Sequence, residues 1–258
     1  MMNQDKRLEV IMQTLEKNHT LTLQEIMKLT GASRDTVRRD IVKLSDSDLV
    51  KRNYGGISLP HTFRYVDDFL SRTDEMTAVK QVIAQAAAKL VQEQQQLFLD
   101  VSTTINCIPA YLPKIEQGLV LTNSLDIADQ LLRKTELSVR LIGGVYQQKR
   151  RGTNDSNALR DLLSYRSEIT FISAVGLTTD GVYYAFEDDV AFKQQLADQS
   201  QQVVLVIDHT RIGMRHNFRA LGLEKLDYLV TDQSLPDELA RQLDDAKVRV
   251  IVTDKAKK

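Results

Sequence analysis

Apolar positions along this chain follow one rhythm near its start and another further on. In "RLEVIMQTLEK", Leu8, Ile11, Met12 and Leu15 stand at i, i+3, i+4 and i+7, the stripe of an amphipathic helix. Thr22 precedes Glu25 by three residues, the reciprocal pattern that opens a second helix with Leu23, Ile26 and Leu29 on its buried side. Gly31 follows where the chain must reverse, since glycine accepts the positive φ that ends a helix. Ser33 then caps a third helix, with Asp35 in its first turn facing the macrodipole and Val37, Ile41 and Leu44 on one face. Two short helices around a tight glycine turn predict a helix-turn-helix.

The rhythm then changes. In "LVKRNYGGISL", Leu49–Asn53 and Ile57–Leu59 read as two short strands with Gly55-Gly56 as the turn between them. Residues 61–76, after Pro60, show no clear period and read as a linker. A helix is expected from Thr77, with Val79, Val82, Ala86 and Leu90 inward. Beyond it, apolar runs at "LFLDV", "LVLT", "VRLIG", "ITFISAVG", "VVLVID", "YLVT" and "VRVIV" alternate with helices such as "LDIADQLLRK", "DDVAFKQQLADQS" and "PDELARQLDDA". Strands that are apolar throughout, spaced by helices, predict a Rossmann-like, mostly parallel sheet covered on both faces. The fold class is therefore α/β, with a winged helix-turn-helix over 1–60 and a larger α/β domain over 77–258.

Composition narrows the partners. The chain's 258 residues suffice for two domains. Its 42% hydrophobic and 27% charged residues are those of a soluble protein. No apolar run approaches the roughly 18 residues that a membrane span needs, and "MMNQDKRLEV" lacks the apolar core of a secretion signal. The single cysteine, Cys107, allows no internal disulfide and reads as a small core residue. A cytoplasmic protein is expected. Its net charge of −1 attracts no polyanion as a whole, so a nucleic-acid partner requires locally gathered positive charge.

"SRDTVRRDIVKL" supplies that charge. Arg34 and Arg38 share one helical face, as do Arg39 and Lys43, and Ser33, Arg34, Thr36 and Arg38 lie near the helix N-terminus, where recognition helices meet base edges. Taken alone this is an ordinary charged helix, with Asp35 paired to Arg39 and Asp40 diluting the positive charge. The following hairpin tips the balance the other way. Lys51, Arg52, Tyr54, Gly55 and Gly56 form a basic wing placed to meet phosphates, which makes sense beside DNA.

The ends of the later strands carry the second candidate chemistry. Asp100 is followed by Ser102, Thr103 and Thr104; Thr122 by Asn123 and Ser124; other strands run into Gly143-Gly144, Gly176 and Asp208. Ligands of open parallel sheets bind beyond the carboxyl ends of the strands, and hydroxyls with backbone N–H groups there suit a phosphate. Serines and threonines also cap helices in any α/β protein, so convergence matters more than any one junction.

With Arg7, Ile11 and Leu15, then "SRDTVRRDIVKL" and "LVKRNYGG", the sequence resembles the DeoR family of bacterial transcriptional regulators. The resemblance implies a sensor domain similar in fold to ribose-5-phosphate isomerase and a phosphorylated sugar as effector. It implies a repressor of sugar metabolism that binds double-stranded operator DNA, with no cofactor, no metal and no catalytic residue. The family's loop looks like Asp100, Ser102, Thr103 and Thr104; its "TNS" is Thr122 to Ser124; its Gly-Gly is Gly143-Gly144; its later lysine is Lys193; and its Asp-x-Ser-Lys-x-Gly resembles Asp208 to Gly213. Lys80 and Gly176 complete the expected effector set. Ser102 stands where glycine is usual, Arg211 where lysine is usual, and Val79 where a glutamate is common before Lys80. A homo-oligomer, dimer or tetramer, is expected because operators are pseudo-symmetric. The competing reading is a sugar-phosphate isomerase with an appended DNA-binding module, using Asp100, Lys193 or Asp208 as base. His209 and His216 match no strong metal motif.

Overall fold

The structure, a computed structural model, describes residues 2–18, 20–47, 49–53, 56–58, 69–114 and 118–253. The chain divides into two compact units, 1–65 and 66–258.

The first unit contains α1 (Gln4–Asn18), β1 (Thr20–Thr22), α2 (Leu23–Thr30), α3 (Arg34–Asp46), β2 (Lys51–Asn53) and β3 (Gly56–Ser58). The caps form as the sequence predicts. Thr22 and Glu25 make the reciprocal capping box of α2, Gly31 ends it in the left-handed region at φ 64°, and the Ser33 side chain accepts from the Thr36 backbone N–H. Ile11, Leu15, Ile26, Val37, Ile41 and Leu44 fill the core with Leu21, Val50 and Ile57. The three strands pair antiparallel in the order β1-β3-β2, so the wing hairpin is anchored by β1, which the sequence pattern did not reveal. Gly56 is a strand residue rather than a turn residue. A Cβ there would lie 2.1 Å from the Leu21 carbonyl oxygen, so glycine is needed for β3 to approach β1. Tyr54, Gly55 and Leu59 lie outside the described residues.

The second unit opens with α4 (Phe69–Thr73), inside the segment expected to be a linker, and α5 (Thr77–Ala88). Seven strands then form one parallel sheet: β4 (Leu97–Leu99), β5 (Leu119–Thr122), β6 (Ser138–Leu141), β7 (Ser167–Ile172), β10 (Ser200–Val206), β12 (Tyr228–Thr231) and β13 (Arg249–Val252). These are the seven apolar runs. Their spatial order is β13-β12-β10-β7-β4-β5-β6. The chain builds outward from β4 to β6, returns beside β4 as β7, and builds outward the other way. Alternate side chains feed two cores: Leu97, Leu99, Phe171, Val204 and Val206 face α5 and α6 (Leu125–Lys134), whereas Phe98, Ile172, Val203 and Leu205 face the opposite layer. That layer holds α7 (Ser156–Leu162), α8 (Glu187–Asp198) and α9 (Asp237–Asp245). It also holds a small antiparallel sheet of β8 (Gly176–Thr178), β9 (Gly181–Tyr184) and β11 (Phe218–Leu221).

One expected face is rotated. Val79, Val82, Ala86 and Leu90 are only half-buried, and α5 presents Lys80, Ile83, Ala84, Ala87 and Ala88 to the interior. The helix turns about one residue from its most apolar setting, which carries Lys80 inward.

Candidate functional site

In the first unit the cations lie outside. Arg34, Arg38, Arg39 and Lys43 are exposed on α3, outside its buried set of Val37, Asp40, Ile41 and Leu44, and Lys51 and Arg52 are exposed on β2. Ser33 and Thr36 bond to each other through their hydroxyls at 3.0 Å. Arg39 reaches the Asp35 backbone carbonyl at 3.4 Å rather than its carboxylate.

Asp40 does not dilute this charge in the way expected. It is buried on the inner side, where Arg7 donates from Nε at 2.7 Å and from Nη2 at 3.1 Å, and Gln4 donates at 3.1 Å. Burial would raise the Asp40 carboxyl, but the bonds from Arg7 and Gln4 and the Arg7 charge carry it below its ordinary value. The acid of "RRD" is thus spent inside the domain.

In the second unit, a cleft crosses the carboxyl ends of β4, β7 and β10, beside the β4–β7 boundary where the chain's direction of growth reverses. That is the switch point where such sheets bind ligands. The cleft has two joined compartments sharing Arg72, Ser102, Ser173 and Ala174.

The first compartment is lined also by Glu75, Lys80, Thr103, Thr104, Asp208 and Arg211. The Lys80 ammonium is buried and donates to the Arg72 carbonyl. Burial pushes it below the usual lysine range, against the pull of Asp208. Ser102 turns its hydroxyl back on its own loop and accepts from the Thr104 N–H at 3.1 Å. The strand hands over here to a 3-10 turn (Ile105–Ala110) rather than to an α-helix. Asp208 likewise accepts from the Thr210 N–H at 2.9 Å.

The second compartment is lined by Asp100, Arg150, Asn154, Tyr184, Phe186, Asp189 and Lys193, among others. Lys193 spans both Asp100 oxygens at 2.6 and 2.7 Å, with 3% and 1% of their side chains exposed. Its ammonium also lies 5.5 Å from the Tyr184 ring centre. Arg150 grips Asp188 at 2.8 Å and stacks 3.6 Å above the Phe186 ring. Burial raises the Asp189 carboxyl, which accepts from the Asn154 amide, and raises the Tyr184 phenol well above its usual range. Two buried atoms on this wall, Tyr184 Oη and Asn154 Oδ1, have no hydrogen-bond partner.

Of the effector set expected from sequence, Lys80, Asp100, Ser102, Thr103, Thr104, Lys193, Asp208 and Arg211 converge on the cleft. Six others do not line it. Thr122 donates to the Leu99 carbonyl at 2.6 Å, and Ser124 caps α6. Asn123 accepts from the Val101 N–H at 2.9 Å and donates to the Thr153 carbonyl, so it braces the cleft's loops from behind. Gly143 and Gly144 follow β6 at the sheet's edge, where the Gly143 N–H meets Asp161. Gly176 begins β8, with the Met214 carbonyl oxygen 2.1 Å from where its Cβ would be. Sequence reasoning missed Arg72, hidden in the expected linker, and Arg150, Asn154, Tyr184, Phe186 and Asp189. The acidic start of α8 was a usable signal for Asp188 and Asp189.

No group of three or more histidine, cysteine or acidic side chains able to hold a metal ion occurs among the described residues. His209 instead pairs with Asp232 at 2.7 Å. Cys107 is half-buried, and burial raises its thiol. None of the described helices is long and apolar enough to cross a membrane.

Comparison with known proteins agrees with both units. Residues 7–63 match the DeoR-like helix-turn-helix domain, and residues 75–233 match the DeoR C terminal sensor domain. The HTH-type transcriptional repressor GlcR of Bacillus subtilis (strain 168) is 30% identical over 253 residues, covering 98% of each chain. The glycerol-3-phosphate regulon repressor of Escherichia coli (strain K12) is 24% identical over 250 residues, covering 96% of this chain and 99% of its own. Ribose 5 phosphate isomerase A from Neisseria gonorrhoeae aligns over 53% of both chains at 16% identity, with a TM-score of 0.37, a likeness too loose to bear on function.

Proposed function

We propose how the chain works from the premise that it belongs to the DeoR family of transcriptional regulators, as its two matched domains and its full-length relative show. It is a repressor of a sugar-metabolism operon whose hold on operator DNA is set by a phosphorylated sugar in the second unit. Arg34, Arg38 and Arg39 meet base edges and phosphates, with Thr36 beside them, while Lys43, Lys51 and Arg52 meet the backbone. Tyr54, Gly55 and Gly56 complete the proposed DNA-binding set. Two half-sites call for a homo-oligomer, dimer or tetramer.

The observation that carries the effector assignment is the pairing of two unlike compartments in one cleft. Lys80, Arg72 and Arg211, beside the Thr103–Thr104 loop, suit a phosphate. The Asp100–Lys193 pair, Asp189 and the unpartnered atoms of Asn154 and Tyr184 suit sugar hydroxyls, because buried polar atoms ordinarily find partners. Asp100 and Lys193 are bonded to each other, which supports binding rather than base catalysis. An anion that engages Lys80 competes with the Arg72 carbonyl at the end of α4, the first described element after the segment joining the units. A ligand-driven shift then requires that this contact differ between two states of the protein.

The test is fluorescence anisotropy of labelled DNA from upstream of the neighbouring operon, titrated with phosphorylated sugars and their parent sugars. One phosphorylated sugar should change the affinity while its parent does not. Binding that ignores the whole panel would refute the effector assignment.

A further inference from the structure

Helix α3 must do more than carry arginines; it must point them. Its apolar face of Val37, Ile41 and Leu44 is a non-directional contact that tolerates small rotations. Directional restraint comes from α1. The Arg7 fork meets both Asp40 oxygens, Nε to Oδ2 and Nη2 to Oδ1, and its Nη1 is tied to the Met2 carbonyl at 2.9 Å. Gln4 adds a second strut, since its amide donates to Asp40 while its oxygen accepts from Lys43 at 3.2 Å. Gln4 and Arg7 therefore grip α3 at Asp40 and Lys43, about one turn apart.

We infer that Arg7, assisted by Gln4, is a positioning residue for DNA recognition. Its fork on Asp40 fixes the rotation of α3 and so aims Arg34 and Arg38, without itself touching DNA. A planar fork on a carboxylate is a directional bond that lysine cannot reproduce. This role rests on the DNA reading above.

The experiment uses the full-length protein, a duplex enriched by the wild type from a randomised pool, and a shuffled duplex of the same composition. Anisotropy is measured over a range of KCl concentrations. Arg7→Ala strands a buried carboxylate, so the variants are Arg7→Lys and Gln4→Ala, each checked by thermal melting; if Arg7→Lys fails to fold, Gln4→Ala decides. A folded variant should bind the shuffled duplex like the wild type and lose about tenfold on the enriched duplex, with Gln4→Ala the milder of the two. The slope of log affinity against log salt should not change, because no phosphate contact is lost.

An unchanged ratio of enriched to shuffled affinity in a folded variant would overturn the role, including the case where both affinities fall together. So would a slope reduced by about 0.9 in Arg7→Gln, which removes the charge while keeping an amide donor for Asp40, since that would place Arg7 on a phosphate. Failure of the wild type to enrich any duplex would remove the DNA reading itself, and this role with it.

Discussion

Helix α3 and the cleft at the strand ends both gather cations, and they hold them in opposite ways. On α3 the arginines are exposed, and the nearby acid, Asp40, is turned inward onto Arg7. In the cleft three cations are covered and held by an acid or carbonyl from elsewhere: Lys193 by Asp100, Arg150 by Asp188, Lys80 by the Arg72 carbonyl. The first arrangement leaves charge available to a long polyanion approaching from solvent. The second suits a small ligand that must displace or complete existing bonds. Water can screen the first kind of charge, but the second depends on its partners.

The largest effect that follows is in the cleft. Lys193→Met leaves the Asp100 carboxyl without its partner in a compartment where both side chains are almost wholly covered. Breaking such a pair costs about 3–5 kcal/mol, to be read by urea unfolding. The double variant Lys193→Met with Asp100→Leu should regain most of that stability while losing the response to the effector. A loss below about 1 kcal/mol for the single variant would show that the cleft pair behaves like a surface pair, and the contrast would fail.

The next effect belongs to α3 and should leave folding alone. Arg38→Ala, fully folded, should weaken operator binding and relax one base position by about 1–3 kcal/mol, measured on a set of single-base operator variants. Uniform weakening across all of them would reassign Arg38 to the backbone. Ser33→Ala is smaller, about 1 kcal/mol of stability from the lost cap, seen as a lower melting temperature. A melting point unmoved by that change would mean the Ser33–Thr36 contact contributes nothing.

The contrast also explains what could be read from the sequence. Charge on a helix surface repeats with the helix, so Arg34, Arg38, Arg39 and Lys43 were legible beside the Val37, Ile41 and Leu44 stripe. All seven strands of the parallel sheet were legible as apolar runs, although the edge strands β6 and β13 are largely exposed. The cleft was legible in part: Asp100, Lys80 and Lys193 sit at strand ends or on helices, but their partnerships span the chain, with Asp100 and Lys193 separated by 93 positions. Arg150 and Arg72 lie in stretches without a period, and β8, β9 and β11 are short strands of a side sheet, so local pattern had nothing to mark them. Thr122, Asn123 and Ser124 show the converse. Polar residues at a strand's end read as ligand contacts, yet they satisfy buried backbone groups.

The finest test of the contrast reads pH. Asp189, in the cleft, has its carboxyl raised first by burial, with Lys193 and Arg150 only partly offsetting this. Its folded value lies above its unfolded value, so the stabilisation from the bound proton is complete below the unfolded pKa and is lost as pH rises through the folded one. Asp189→Asn keeps an oxygen for the Asn154 amide. It should therefore be more stable than wild type at neutral pH, with the gap closing as pH falls toward the ordinary value of 3.8. Asp40, under α3, has its carboxyl lowered, so its contribution is present above the unfolded pKa and is lost as pH falls through the folded one. Asp40→Asn should be less stable than wild type at neutral pH, with that gap also closing in acid. Two aspartate-to-asparagine changes of opposite sign, followed by urea unfolding from pH 3 to 8, thus separate a compensated acid from an uncompensated one. If both gaps had the same sign, burial in the cleft would be as fully compensated as burial under α3, and the cleft would hold no carboxyl awaiting a ligand.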